Sequence, residues 1–195
     1  MGDGEGACNE AVEISSGWGP LSALPGDAMM WILIISELAV FGAALAGYAV
    51  SRALDPELFS ASQAHLDPFS GALNTAILLT SGAFAAGAVR QARAGAIRTT
   101  RWLIGIAFLF GLAFLTVKVG EYAGHLADGY GLEANTFFTL YYLVTGFHAA
   151  HVVFGLMILA LVAAFASEEN VTTGCAFWHM VDLVWVLVFA VFYLS

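Results

Sequence analysis

Seven ionisable side chains stand in stretches that are otherwise apolar: Glu37, Lys118, Glu121, His148, His151, His179 and Asp182. A carboxyl group such as Glu37 can exchange a proton or bond to a neighbouring helix. His148 and His151, three residues apart, share a helix face and could hold a metal, ligate haem or carry a proton. Lys118 and Glu121 have the same spacing and could form an ion pair or part of an ion path. His179 and Asp182 repeat it once more. Cys8 and Cys175 offer neither a disulfide framework nor metal-ligand spacing.

What must position these groups is a membrane bundle. The chain has 195 residues, 60% hydrophobic and only 11% charged, with a mean hydropathy of +0.83. A soluble domain of this length could not cover so much apolar surface, so the fold class is all-α, a polytopic bundle of five transmembrane helices. Fifteen acids against six Lys and Arg exclude nucleic acid as a partner. Met29–Val50 is apolar apart from Glu37 and small hydroxyl or glycine positions. About 20 such residues span the ~30 Å hydrocarbon layer. Glu37 then lies roughly 12–14 Å along its helix, near mid-membrane. A bare carboxylate there is costly, so a partner within the bundle or protonation is expected.

Hydropathy places the helices at about 28–52, 70–89, 102–122, 137–165 and 177–194. Residues 1–27, with Asp3, Glu5, Glu10 and Glu13, read as an acidic, flexible cytoplasmic tail without a secretory signal. Asp27 reads as a cap or early-turn acid of the first helix. Arg90, Arg93, Arg98 and Arg101 crowd the segment between the second and third helices, and no acid accompanies them. Positive residues stay on the cytoplasmic side, which puts the N-terminus inside and the C-terminus in the periplasm. The same arginines suit anionic lipid headgroups. Lys118 and Glu121 read as an interfacial pair with the lysine snorkelling outward. Trp31, Trp102, Trp178 and Trp185 read as belt or packing residues.

A haem held by histidines of two helices meets a depth objection. On these boundaries His179 lies at the cytoplasmic end of its helix, whereas His151 is about 20 Å from that end of its own. One iron needs both ligands within a few ångströms. The reading that remains is packed, hydrogen-bonded core histidines, with Asp182 a helix-start group tied to His179.

Five motifs in order resemble subunit III of the haem–copper oxidases, from about Pro25 to the last residue. They are Trp31–Phe41 with its Ser36-Glu37 pair, Leu73-Asn74-Thr75-Ala76-Ile77-Leu78-Leu79-Thr80-Ser81-Gly82, and Lys118 with Glu121-Tyr122. The last two are Thr145-Gly146-Phe147-His148-Ala149-Ala150-His151-Val152 and Phe177-Trp178-His179-Met180-Val181-Asp182-Leu183-Val184-Trp185. Mitochondrial members have seven helices, and this chain lacks the first two, which frame that family's lipid-filled cleft. The shorter build is similar to bacterial quinol oxidase third subunits and to the protein that accompanies bacterial nitric oxide reductase. Short outer loops, Pro25-Gly26-Asp27 and the wording around Trp178 incline the resemblance to the nitric-oxide-reductase-associated branch and hence denitrification. Subunit III of an aerobic cytochrome c or quinol oxidase is the alternative.

The resemblance implies a non-catalytic, cofactor-free subunit of the bacterial cytoplasmic (inner) membrane. Haem and metal then sit in a catalytic partner subunit, and this chain supports that partner's stability, turnover or proton uptake. A structural phospholipid is the one small molecule implied. For Glu37 two readings stand: an acid bonded within the bundle, or a proton-responsive group whose charged form desolvation disfavours. His148 is its expected partner. An independent transporter or channel is a further alternative, opposed by the lack of a broken helix pair or inverted repeat.

Overall fold

The computed structural model describes residues 28–194, so the expected acidic tail and Asp27 lie outside the described residues. Six helices follow in order: α1 (Ala28–Leu54), α2 (Pro56–Gln63), α3 (Pro68–Arg93), α4 (Ile97–Ala127), α5 (Thr136–Ala164) and α6 (Glu168–Phe189), the last running into a π-helical turn (Ala190–Leu194). All but the short α2 are long and apolar enough to cross a membrane. The chain is therefore an all-α membrane bundle of five spans.

Helices α3, α4 and α6 run beyond the hydropathic boundaries, and at α3 and α6 a capping side chain marks the earlier start. Asp67 caps α3 by accepting from the backbone N–H groups of Phe69 and Ser70. Asn135 caps α5 through the N–H of Phe138. Ser167 caps α6 through the N–H of Asn170, with Glu168 and Glu169 in the first turn, where the helix dipole favours acids. The segment Ser167–Asn170 therefore opens the last helix instead of merely closing the one before it. The arginine-rich segment is mostly helical too. Arg90 and Arg93 end α3, Arg98 and Arg101 begin α4, and only residues 94–96 lie between. Gly95, at φ +73°, allows the tight reversal.

Helices α3, α4, α5 and α6 form a closed ring, each packed on the next and α6 returning to α3. α1 lies outside the ring against α5 and α6, and α2 leans on α5 and α1. Trp178 of α6 fills the ring's centre. Its ring lies so close to Gly111 of α4 and Gly155 of α5 that a Cβ at either position would come within 2.7 Å of it. Its Nε1–H donates to Ser81 Oγ of α3 at 3.0 Å, and that hydroxyl donates to the carbonyl of Ala107 in α4 at 2.7 Å. One indole thus touches all three neighbours, and small residues make the approach possible. Trp185, two turns further along the same face of α6, donates to Thr75 Oγ1 at 3.1 Å. Trp178 and Trp185 are packing residues, fully buried, whereas Trp102 stands exposed.

Candidate functional site

The carboxyl group of Glu37 meets His151, not His148. Glu37 Oε2 lies 3.0 Å from His151 Nε2 across the α1–α5 contact. His151 Nδ1 lies 2.9 Å from the carbonyl oxygen of Phe147. A carbonyl can only accept, so Nδ1 carries a hydrogen and Nε2 alone faces the acid. One proton is then shared between Glu37 and His151, which form either an acid hydrogen-bonded to a neutral ring or a carboxylate facing an imidazolium. Phe41 and Phe147 flank the ring, with centroids 5.4 and 4.5 Å from it. The acid lies at the margin of the bundle, because α1 lies outside the ring. Its side chain keeps 22% of its exposure and that of His151 keeps 14%.

His148 points inward instead. Its ring lies 5.2 Å from Trp185 and 5.7 Å from Phe114. It is fully buried, and neither ring nitrogen has a hydrogen-bond partner among the described residues. The two histidines share a broad face, but the helix turns one into the ring and the other toward α1. The expected hydrogen-bonded core histidine is thus packed only.

A second cluster closes the far end of the ring. Lys118 and Glu121 pair at 3.1 Å, as their spacing suggests. The lysine does not snorkel; it is 1% exposed. Its Nζ donates to the hydroxyls of Tyr141 and Tyr193, each at 2.8 Å. Both phenols donate to Glu121 Oε1, at 2.6 and 2.5 Å. The ammonium also lies 5.1 Å from the Trp185 ring. Lys118 is held inward because three acceptors and an aromatic cage await it, and two of the acceptors, Tyr141 and Tyr193, come from segments distant in sequence. His125 comes within 3.7 Å of Glu121 on the same side. Tyr141 and Tyr193 were not legible as site residues; a tyrosine in an apolar run reads equally as an interfacial anchor.

The third pair is His179 with Asp182, 3.5 Å apart. Neither lies at a helix start. α6 begins at Glu168, so His179 is roughly 16 Å and Asp182 roughly 21 Å along it. The predicted depth gap between His179 and His151 therefore vanishes, since His151 is roughly 20 Å from the Ala164 end of α5. Direction now separates them. His151 is engaged by α1, while the His179–Asp182 pair lies against Gly82 of α3. The two imidazoles cannot converge on one iron. Among the described residues no group of three or more His, Cys, Asp or Glu side chains is placed to hold a metal ion.

The structure defines a five-span membrane bundle with ionisable side chains paired inside it, and comparison with known proteins gives the family. The profile of the family described as cytochrome c oxidase subunit III matches residues 26–195. The chain is 29% identical over 178 residues to the cytochrome bo(3) ubiquinol oxidase subunit 3 of Buchnera aphidicola, covering 85% of this chain and 84% of that one. It is 29% identical over 175 residues to cytochrome c oxidase subunit 3 of Thermostichus vulcanus, covering 84% of each. It is also 33% identical over 182 residues to a haem–copper oxidase subunit I+III of Aeropyrum pernix, covering 85% of this chain and 22% of that one. The chain belongs to the cytochrome c oxidase subunit III family. It is a non-catalytic accessory subunit of a haem–copper oxidase and a multi-pass protein of the inner membrane.

Proposed function

We propose that the chain is the cofactor-free third subunit of an oxygen-reducing haem–copper oxidase, and that it sustains proton uptake and durability of the catalytic subunit. The names of the relatives, two of them cytochrome c or ubiquinol oxidases, support an oxygen-reducing partner. The inclination of the sequence toward the nitric-oxide-reductase-associated branch has no counterpart in those names. Family membership displaces the transporter or channel reading. The Aeropyrum pernix relative, a subunit I+III, supports a partner of the subunit I kind. The N-terminus faces the cytoplasm in this reading, on the strength of the four arginines at the α3–α4 turn. A groove of about 450 Å³ with Ile158, Leu161 and Phe165 on its walls and Glu169 and Asn170 at its mouth suits a structural phospholipid.

The observation that carries a proton-linked role is the Glu37–His151 contact, with Nδ1 of the histidine already committed to a carbonyl. Only the bridging proton is left free to move, at membrane depth and still partly accessible. The test is purification of the complex in mild detergent from its own host. A haem-bearing subunit that consumes oxygen supports the reading. A complex that consumes nitric oxide and not oxygen refutes the oxygen branch, and a chain that purifies without any haem protein refutes the subunit role.

A further inference from the structure

The α3–α6 face carries a half-exposed imidazole backed by a buried carboxyl group, where lipid would be the only neighbour. Asp182 is 6% exposed, and its Oδ1 has no hydrogen-bond partner among the described residues. Its other oxygen faces His179 Nδ1. The carboxyl group fits because α3 has no side chain at Gly82; a Cβ there would collide with Asp182 Oδ2. His179 keeps 43% of its side-chain exposure. The pair sits in a groove of about 400 Å³ between the two helices, walled by Leu79, Leu183, Val186 and Leu187. Those walls are apolar and outward facing.

Depth makes this arrangement costly in lipid. His179 is roughly 16 Å from the α6 start and Gly82 roughly 12 Å from Arg90 at the α3 end, so both lie within the hydrocarbon layer. An imidazole is too short to reach headgroups from there. Acyl chains offer no hydrogen bond to the outer nitrogen of His179. A transmembrane helix does, through a hydroxyl, amide or indole donor at matching depth, and its apolar side chains can pack on the leucine walls. The polar pair at the α1–α5 contact needs no such cover, since Glu37 and His151 satisfy each other.

We infer that the α3–α6 groove centred on Asp182 and His179 is the docking surface for a transmembrane helix of the catalytic subunit, which presents a hydrogen-bond donor to the outer nitrogen of His179. This rests on the subunit role proposed above. The groove gives the interface a polar register mark at membrane depth, with apolar packing on either side of it.

The test uses the full-length chain in its native complex with a photoreactive benzoylphenylalanine at Leu183 or Leu187, and at Leu112 or Leu143 as controls on α4 and α5. Irradiation should yield an adduct of this chain with the haem-bearing subunit from the groove positions, at least fivefold above the controls. His179→Leu should lower the haem that co-purifies about tenfold, and His179→Gln, which keeps an acceptor, should retain most of it. If the haem subunit co-purifies with the wild-type chain but the groove positions give no adduct, or give one no stronger than the controls, the docking surface is refuted and the subunit role stands. An adduct of two copies of this chain refutes it likewise. Absence of any haem subunit from the wild-type preparation overturns the subunit role and the docking surface with it.

Discussion

Replacing Lys118 with methionine is the sharpest probe of the buried cluster. The side chain keeps its length and loses its charge. Glu121, whose side chain is 6% exposed, would remain in the ring without a counter-charge, and breaking a buried pair by removing one partner costs about 3–5 kcal/mol. Two phenols still donate to Glu121, and charge-assisted bonds of that kind are worth about 1.5–3 kcal/mol each. The carboxyl can also take a proton. Lys118→Met is therefore expected at the lower end, about 3 kcal/mol. Glu121→Gln strands the ammonium among two phenols and should cost a similar amount. The double variant removes both charges and leaves only the phenols to satisfy, so it too should cost about 3 kcal/mol, giving a coupling of about 3 kcal/mol between the sites. The assay is reversible unfolding in dodecyl maltoside micelles titrated with dodecyl sulfate, followed by helical circular dichroism. Single losses below about 1 kcal/mol that add within about 0.5 kcal/mol would show a solvated, weakly coupled pair and refute the reasoning.

Gly155→Ala pushes a methyl into the Trp178 ring and should cost about 1–3 kcal/mol in the same titration, whereas Gly105→Ala, with nothing within 4 Å, should be neutral or stabilising by up to about 1 kcal/mol; equal effects would mean that Trp178 yields freely. Glu37→Gln cannot share a proton with His151, so the bundle should fold while the pH dependence of the assembled oxidase's turnover changes; an unchanged profile leaves the pair purely structural. Outside the spans, the Ser70 hydroxyl, helped by the N–H groups of Phe69 and Ser70, holds the Asp67 carboxyl below its usual value. A depressed folded value stabilises the fold above the unfolded value of about 3.9 and loses that contribution as pH falls through the folded value. Asp67→Ala should thus cost about 1 kcal/mol at pH 7, and the difference from wild type should shrink steadily below pH about 4; a constant difference at pH 3 would mean that the carboxylate is not what caps α3.

Much of the site was legible as residue types and little of it as partners. Glu37 stands out because an acid in an apolar run needs a neighbour, yet the choice of His151 over His148 depends on how α5 is rotated against α1. Lys118 and Glu121 pair through local spacing. Tyr141 and Tyr193, the groups that draw the lysine inward, lie 23 and 75 residues away from it. The helix ends were misplaced for a physical reason as well. Hydropathy marks where a span is apolar, whereas a helix starts where its first N–H groups find an acceptor, and Ser167 supplies one well outside the apolar run. That shift carried His179 to mid-span and removed the depth objection to a shared iron; the directions in which the rings point replaced it.

Composition and hydropathic length alone determined five apolar spans and a membrane location, because burying that much hydrocarbon surface is set by the count and run of residues and not by their arrangement. Capping residues determined the helix ends locally. The ring of four helices with α1 outside it, the meeting of Trp178 with Gly111 and Gly155, and the pairing of Glu37 with His151 were decided only when the chain folded. Those contacts join residues far apart in sequence, and in lipid they depend on close approach and matched hydrogen bonds, which no single stretch of sequence contains.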